Sequence, residues 1–393
     1  MKKVLTGIDR EEELSRLLSG RRVGLITGSA GVTRDGRFTI DVLRERFHLA
    51  ALFAPEHGIN GVLAPGETVH SGVDPRTGLP VYSLFEDFIY SEDAGQKTRA
   101  YQPSSEAMSK IDVMVFDMQD VGSRYFTYAS TLFYTMRACG NLGMDMVVLD
   151  RPNPIGGTDV EGNCHDPELL SFIGLTRVPI RHGMTIGELA RYYNGEYELH
   201  CPLHVVKMEG WRRSMYFDET GLPYVKPSPN LPTLDSVVLY NGTCLFSGTN
   251  VSEGRGTSTP FSTIGAPYIE PSLLCGELNG LSLPGVFFTP TYFLPEFSKY
   301  KGEICGGVHI HVTDKKAVRP VALGVYFMRT VQRLYPEDFR CNPPATGTRY
   351  HIDIASGSRE LRENLLSAAE ILEKWDKDAE AFLTVREKYL IYE

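Results

Sequence analysis

Short runs of continuously apolar residues alternate with amphipathic segments along the first half of the chain. Four such runs are residues 22–27, 49–53, 111–116 and 144–149. Runs that are apolar throughout are typical of parallel strands covered on both faces. Amphipathic stretches between them, at 39–47 and 127–140, are placed where crossover helices belong. The pattern predicts an α/β fold with a mostly parallel sheet.

The pattern changes after about residue 262. A helix is predicted near 271–279, strands near 286–290 and 307–313, a long helix at 319–335 and a charged helical tail at 359–389. This mixture is typical of a smaller α/β or α+β domain. We therefore expect residues 1–261 to form the larger domain and residues 262–393 to form a second domain.

Polar side chains follow three of the predicted strands at the point where each strand ends. They are Glu56 and His57 after the second strand, Asp117, Gln119, Asp120, Arg124, Tyr125 and Tyr128 after the third, and Asn153 after the fourth. Parallel strands bring their carboxyl ends to one edge of the sheet, and ligands of open α/β sheets bind there. The sequence therefore predicts a pocket at this edge.

Three later loops carry further candidates for the same pocket. His182 precedes a helix that Thr185 and Glu188 begin with a capping-box pattern, so Glu188 is expected to be structural. Asn230 lies in a rigid Ser-Pro-Asn-Leu-Pro turn. The glycine-rich segment 248–261 contains the remaining candidates Asn250, Glu253 and Arg255. Charged residues flanking a glycine suit a loop that grips a ligand.

Composition restricts the partners. The net charge is −9, with acidic and basic residues interspersed, which argues against nucleic acid or an anionic membrane surface as the main partner. No run approaches the ~18 apolar residues that span a bilayer. The N-terminus has no long apolar stretch of the signal-peptide kind. We expect a cytoplasmic protein, or an exported one if a leader has been removed.

Cysteine and histidine spacing argues against metals and disulfides. Seven cysteines are scattered without a CxxC pair, which favours free buried thiols in a reducing compartment. No cysteine or histidine cluster has zinc spacing. The glycines after the first strand read GSAG and do not match the dinucleotide fingerprint GxGxxG. Neither a metal nor a nucleotide cofactor is expected.

Six motifs in one order resemble a known family. PEHG, FDMQDVGSRYFTY, DRPNPIGG, RHGMT, SPNL and NVSEGRGT are similar to the motifs of the exo-β-N-acetylmuramidase (NamZ-like) family, from about residue 4 to near the C-terminus. The resemblance implies a Rossmann-like domain packed on a smaller C-terminal domain, with the active site between them. It also implies release of N-acetylmuramic acid (MurNAc) from the non-reducing end of MurNAc-GlcNAc peptidoglycan fragments during cell-wall recycling or scavenging. Glu56, in the PEHG motif, corresponds to the proposed catalytic acid.

Glycoside cleavage explains why a carboxyl group is needed. A protonated carboxyl gives its proton to the leaving oxygen, and burial or nearby negative charge keeps such a group protonated. Most glycosidases use a second carboxylate, about 5–5.5 Å away in retaining and about 6.5–9.5 Å away in inverting enzymes. Asp120, then Glu253, then Asp117 are the candidates. A third route uses the substrate's 2-acetamido group as the nucleophile.

The substrate also suggests roles for other residues. Arginine matches a carboxylate with two parallel hydrogen bonds, so Arg124 or Arg255, with Arg181 third, is expected to bind the lactyl group of MurNAc. Tyr125 and Tyr128 can stack on a sugar or donate to its hydroxyls. Hydrogen bonds to hydroxyls or the acetamide are expected from Asn153, Asn230 and Asn250. His57, Gln119 and His182 are further candidates for substrate binding, and His57 can also orient Glu56.

Two other classes of function remain open at this point. A non-catalytic muropeptide-binding protein would use the same cleft without turnover. A nucleotide-dependent oxidoreductase or transferase would share the sheet, because one fold hosts many chemistries. The absence of GxGxxG and P-loop sequences disfavours the nucleotide-dependent enzyme.

Overall fold

The computed structural model describes residues 4–86, 88–91, 96–99, 101–344 and 347–393. The strands are β1 (Arg22–Thr27), β2 (His48–Ala54), β3 (Gly72–Val73), β4 (Pro80–Ser83), β5 (Phe88–Ser91), β6 (Gln96–Arg99), β7 (Val113–Asp117), β8 (Asp145–Leu149), β9 (Leu203–Val206), β10 (Thr263–Ala266), β11 (Val286–Phe293) and β12 (Cys305–Val312). The helices are α1 (Glu11–Leu18), α2 (Thr39–Arg46), α3 (Ser105–Met108), α4 (Tyr128–Leu142), α5 (Ile186–Glu196), α6 (Leu234–Thr243), α7 (Pro271–Gly280), α8 (Pro320–Leu334), α9 (His351–Ser356), α10 (Glu360–Glu363) and α11 (Ala368–Glu387).

A seven-stranded sheet organises the larger part of the molecule. Its order is β3-β4-β2-β1-β7-β8-β9, and every pairing is parallel except β3 with β4. The predicted α/β fold is confirmed. In this order β1 lies between β2 and β7. The ends of β2 and β7 are therefore two strand spacings apart, about 10 Å, and the loops that follow them bridge this distance.

Alternation of buried side chains explains why these strands are apolar throughout. Val23 and Leu25 of β1 pack in one cluster with α1 and α2, whereas Ile26 packs in a second cluster with α4 and α5. Successive strand residues point to opposite faces, so a sheet with helices on both faces needs apolar residues at every position. Because helices cover both faces, a site has to lie at an edge of the sheet, and the edge expected is the one at the carboxyl ends of the strands.

A smaller antiparallel sheet forms the second part, in the order β10-β12-β11. Phe288 of β11, Phe327 of α8 and Trp375 of α11 belong to the same buried cluster as the α4 face of the large sheet. A continuous core therefore joins the two parts. The boundary near residue 261 stays a prediction.

The predicted helical tail at 359–389 is interrupted. α10 ends where Asn364 takes a left-handed conformation at φ +55°, and α11 starts again at a capping box made by Ser367 and Glu370. The segment 239–246 is also helical, since α6 continues into the 3-10 helix Cys244–Gly248. The 3-10 helix lies beside the cavity described below, which Cys244 and Ser247 line.

Candidate functional site

A cavity of about 250 Å³ lies where the loops after β2 and β7 meet α6, α9 and the glycine-rich segment 248–261. Its lining consists of Glu56, His57, Pro65, Gly66, Tyr125, Phe126, Thr127, Ile173, Ser228, Asn230, Leu231, Tyr240, Cys244, Ser247, Arg255, Phe261, His351 and Ala355. Five predicted residues line it: Glu56, His57, Tyr125, Asn230 and Arg255. The structure therefore brings part of the predicted set together from separate loops.

The Glu56 carboxylate is buried and held by two hydrogen bonds. The backbone N–H of Gly66 donates to Oε1 at 2.8 Å, and the Thr127 hydroxyl donates to Oε2 at 2.6 Å. One partner comes from the loop of Glu56 itself and the other from the start of α4. These bonds fix the carboxylate orientation from two elements, as a functional group requires.

His57 is placed beside Glu56 by an unusual backbone. Its φ is +72°, a left-handed conformation that is uncommon for residues other than glycine and that recurs at functional sites. Nδ1 lies 2.8 Å from the Leu63 carbonyl oxygen, so Nδ1 carries the proton. Nε2 is then the nitrogen that remains for other partners.

Asp117 does not lie in the cavity, which corrects its assignment. It is fully buried, and Arg151 binds both its oxygens, Nε to Oδ1 at 2.6 Å and Nη2 to Oδ2 at 2.7 Å. Thr39 also donates to it. Gln119 is likewise structural, because its amide donates to the carbonyls of Asp120 and Pro152. Asp117 is thus neutralised by its arginine.

Asp120 and His182 also lie outside the cavity lining. Asp120 Oδ2 accepts from the Gly122 N–H at 2.7 Å and lies 3.4 Å from His182 Nε2. His182 Nδ1 accepts from the Met184 N–H. The two buried side chains brace the loop after β7 against the start of α5. They support the loop that carries Tyr125 and Thr127 and do not face the cavity, so Asp120 is wrong as the second catalytic carboxylate.

Arg124 binds backbone rather than a ligand. Nη1 donates to the carbonyls of Asn163 and Val178 at 2.6 and 2.9 Å, and Nη2 donates to that of Ser356 at 2.7 Å. Burial lowers the pKa of Arg124 to about 10. Its assignment to the lactyl group is therefore wrong, and its role is to tie the end of α9 to the loop after β7. Arg181 is similarly occupied, by Glu161 and Asp159.

Glu253 and Arg255 form an ion pair at the cavity wall. Glu253 Oε2 accepts from Lys299 Nζ at 2.8 Å, and Oε1 lies 3.0 Å from Arg255 Nη1. Burial alone would raise the pKa of Glu253, but Lys299 and Arg255 outweigh it, and the pKa is lowered. Glu253 is therefore an ionised support behind the lining, whereas Arg255 reaches the cavity and lies over the Phe261 ring at 5.2 Å.

Some of the tyrosine and asparagine candidates line the cavity, and the others form structural hydrogen bonds outside it. Tyr125 presents its ring to the cavity while its hydroxyl donates to the Asn241 carbonyl. The Tyr128 hydroxyl donates to the Pro227 carbonyl at 2.8 Å and so holds the turn that brings Asn230 to the lining. Asn153 donates to the Met184 carbonyl and Asn250 to that of Asp338, so both are structural.

Sequence reasoning missed several lining residues. Thr127, Ser228, Tyr240, Cys244, Ser247, Phe261 and His351 belong to this group. Thr127 and Ser228 stand inside motifs that had been recognised, so those motifs were the available signal. His351 stands in no motif. Its position depends on the packing of α9 against Gly248. A Cβ at residue 248 would lie only 2.5 Å from the Ile352 nitrogen, so this packing requires a glycine.

The cavity combines one carboxylate, a guanidinium and two imidazoles. Glu56 is the sole acidic side chain among its lining residues within the described part of the chain. No cluster of three or more His, Cys, Asp or Glu able to hold a metal ion occurs in residues 4–344 and 347–393, excluding the gaps given above. Such a set can transfer a proton and bind an anion. Among the described helices, none has the length and apolar character of a membrane span.

Two family models cover nearly the whole chain. The model for the N-terminal domain of exo-β-N-acetylmuramidase NamZ matches residues 23–235, and the model for the C-terminal domain of the same proteins matches residues 238–392. Peptidoglycan β-N-acetylmuramidase NamZ of Bacillus subtilis (strain 168) is 44% identical over 396 aligned positions, which cover 99% of this chain and 92% of that protein.

Two crystal structures share the fold. A DUF1343 family protein from Bacteroides fragilis NCTC 9343 superimposes with a TM-score of 0.87 at 36% identity, over 100% of both chains. A second DUF1343 family protein from the same organism gives a TM-score of 0.76 at 28% identity, over 100% of this chain and 99% of that one.

Proposed function

Because the chain belongs to the NamZ exo-β-N-acetylmuramidase family, we propose that it is a glycoside hydrolase that releases MurNAc from the non-reducing end of β-1,4-linked MurNAc-GlcNAc fragments. Peptidoglycan muropeptides are its substrates. The observation that carries this proposal is the Glu56 carboxyl, oriented by Gly66 and Thr127 inside a cavity that Arg255 also lines. Glu56 donates the proton to the bridging oxygen.

The size of the cavity supports an exo-acting enzyme. Its volume of about 250 Å³ is below the ~300–1,000 Å³ of pockets that enclose drug-sized ligands. It suits one terminal sugar, with the remainder of the fragment outside. Incubation with a MurNAc-GlcNAc disaccharide and with longer chains should release free MurNAc from both. Binding without release would favour the muropeptide-binding alternative instead.

Arg255 is the arginine that remains for the lactyl carboxylate. Unlike Arg124 and Arg181, it lines the cavity, and its pair with Glu253 holds the guanidinium in place. Lys299 neutralises Glu253 in addition, which leaves positive charge on Arg255 for a ligand. An acidic protein offers no long-range attraction to an anionic sugar, so this local charge has to supply it.

We expect Arg255→Gln to lower kcat/KM for a MurNAc β-glycoside by about tenfold or more, the scale of a lost charge-assisted hydrogen bond. The matching GlcNAc β-glycoside lacks the lactyl group and should be affected less. The measurement is the ratio of the two kcat/KM values. Arg44→Gln, on the exposed face of α2, is the control for loss of an arginine. An unchanged ratio would refute the role of Arg255.

The free thiols support a proposal for the compartment. All seven cysteines are free, and five of them are buried. Unpaired cysteines are typical of a reducing environment. We propose a cytoplasmic enzyme without nucleic-acid partners or membrane insertion. Fractionation of producing cells, with detection of the untagged chain, tests this, and recovery from the medium or cell envelope would contradict it.

A further inference from the structure

Among the residues that the structure describes, the cavity offers a proton donor but no second carboxylate. The Glu253 oxygens are engaged by Lys299 and Arg255, and neither Asp117 nor Asp120 lines the cavity. Either mechanism with two carboxylates needs one of these groups beside the sugar. Within the described part of the chain, the group that assists attack on the anomeric carbon is therefore of another kind.

Two imidazoles are the neutral bases that line the cavity in the described chain. His57 is the neighbour of Glu56 on the same turn, and its Nδ1 is used by the Leu63 carbonyl. His351 is the first residue of α9 and reaches the cavity from a separate element. Arg255 lines the same cavity as Glu56 and the two histidines.

The surroundings of His351 orient its ring and favour its neutral form. The ring is open to the cavity, but protein surrounds it elsewhere, and this desolvation, followed by the charges of Arg255 and Lys299, lowers its pKa. Nε2 lies 3.2 Å from the Ser247 hydroxyl. In the tautomer that carries its proton on Nε2, His351 donates a hydrogen bond to the Ser247 hydroxyl oxygen, and the lone pair lies on Nδ1. The charge of Glu253 raises the pKa of His351, but this effect is the smallest of the four.

Both ends of α9 are anchored, which fixes where His351 points. At the start, Ile352 packs against Gly248 with no room for a side chain. At the end, Arg124 binds the carbonyl of Ser356 at 2.7 Å and that of Ala355 at 3.4 Å. Catalytic groups are effective when the elements that carry them are rigid.

We propose that His351 is the second catalytic residue of this enzyme, the base that takes a proton from the attacking water. Glu56 gives its proton to the bridging oxygen, and the bond from that oxygen to the anomeric carbon breaks with its electron pair moving to the oxygen. The water oxygen bonds to the anomeric carbon as its proton passes to His351. Exchange with solvent restores both groups, and one water is consumed. The configuration inverts.

This inference rests on the proposed function, and one set of measurements separates the two. Proton NMR of the wild-type reaction should show α-MurNAc as the first product of a β-linked substrate. A first product with β configuration would overturn the inference, because the acetamide or an enzyme nucleophile would then have attacked. Absence of any released MurNAc would instead overturn the proposed function.

Variants then assign the base. His351→Gln should lower kcat by about 100-fold or more on MurNAc β-glycosides with both weakly and strongly acidic phenol leaving groups. Glu56→Gln should instead lower kcat mainly on glycosides of weakly acidic phenols, because a strongly acidic phenol leaves without being protonated. His311→Gln is the matched control and should retain normal activity. His311 is an exposed histidine of β12, and its ring is hydrogen-bonded to the Thr289 hydroxyl on β11.

The remaining outcomes decide whether His351 or His57 is the catalytic base. Activity of folded His351→Gln within threefold of the wild type would overturn the proposal, and a large loss in His57→Gln under those conditions would assign the base to His57. If His351→Gln unfolds, His351→Asn is measured in its place. A merely structural role would lower the melting temperature and leave the pH dependence of kcat/KM unchanged, whereas loss of the base would remove the acidic limb of that pH profile.

Discussion

Glu56→Gln is expected to lower turnover of a MurNAc β-glycoside with a poor leaving group by roughly two orders of magnitude or more, the scale of general acid catalysis. The glutamine oxygen can still accept from the Gly66 N–H, and its amide can donate to the Thr127 hydroxyl oxygen, so the loop should keep its conformation. What is lost is the proton for the bridging oxygen. The measurement is kcat on a series of phenyl glycosides, where the deficit should shrink as the leaving group becomes more acidic.

Glu67→Gln is the control for this experiment. Glu67 lies on the same loop, is exposed and accepts from the Ala64 N–H rather than facing the cavity. Its replacement should leave turnover unchanged. Near-normal turnover in a folded Glu56→Gln variant would reject Glu56 as the acid, and an equal deficit on all leaving groups would show that the loop had been disturbed instead.

Arg151→Met is expected to destabilise the protein by about 3–5 kcal/mol, the cost of leaving one member of a buried ion pair without its partner. Arg151 supplies two hydrogen bonds to Asp117, which is fully buried at the end of β7. The remaining donor to the Asp117 side chain, Thr39, cannot neutralise it. The measurement is the free energy of unfolding from urea titration.

The double variant Arg151→Met with Asp117→Asn separates the charge from the packing. Because both charges are then absent, it should be markedly more stable than Arg151→Met alone. A loss below about 1 kcal/mol in Arg151→Met would contradict the account, since that is the scale of an exposed ion pair. Hydrolysis need not change in the folded fraction, because neither residue lines the cavity.

The sequence predicts what local patterns determine. Continuous apolar runs identified β1, β2, β7 and β8 to within two residues, because a sheet covered on both faces needs such runs. Glu56 could be found because its turn directly follows a strand. Thr127 was within a recognised motif but was not singled out, since its function depends on Glu56 approaching from another loop.

The sequence does not predict what a charged side chain meets in the interior. Arg124 and Arg255 have similar local contexts, yet one binds carbonyls and the other reaches the cavity. Strand order decided the position of Asp117, because β1 separates it from Glu56. His351 belongs to a short helix whose place is set by tertiary packing on Gly248. These are long-range contacts without a local signature.

The Arg124 contacts have a consequence for hybrid proteins assembled from two relatives. Arg124 binds main-chain oxygens of α9, so it recognises the path of the chain and is indifferent to the side chains there. Gly357 is the exception, because its φ is +72° and an added Cβ would lie 2.8 Å from Nη2. A front half from one homologue should therefore accept a back half from another wherever this glycine is present, even when the remaining joint residues differ.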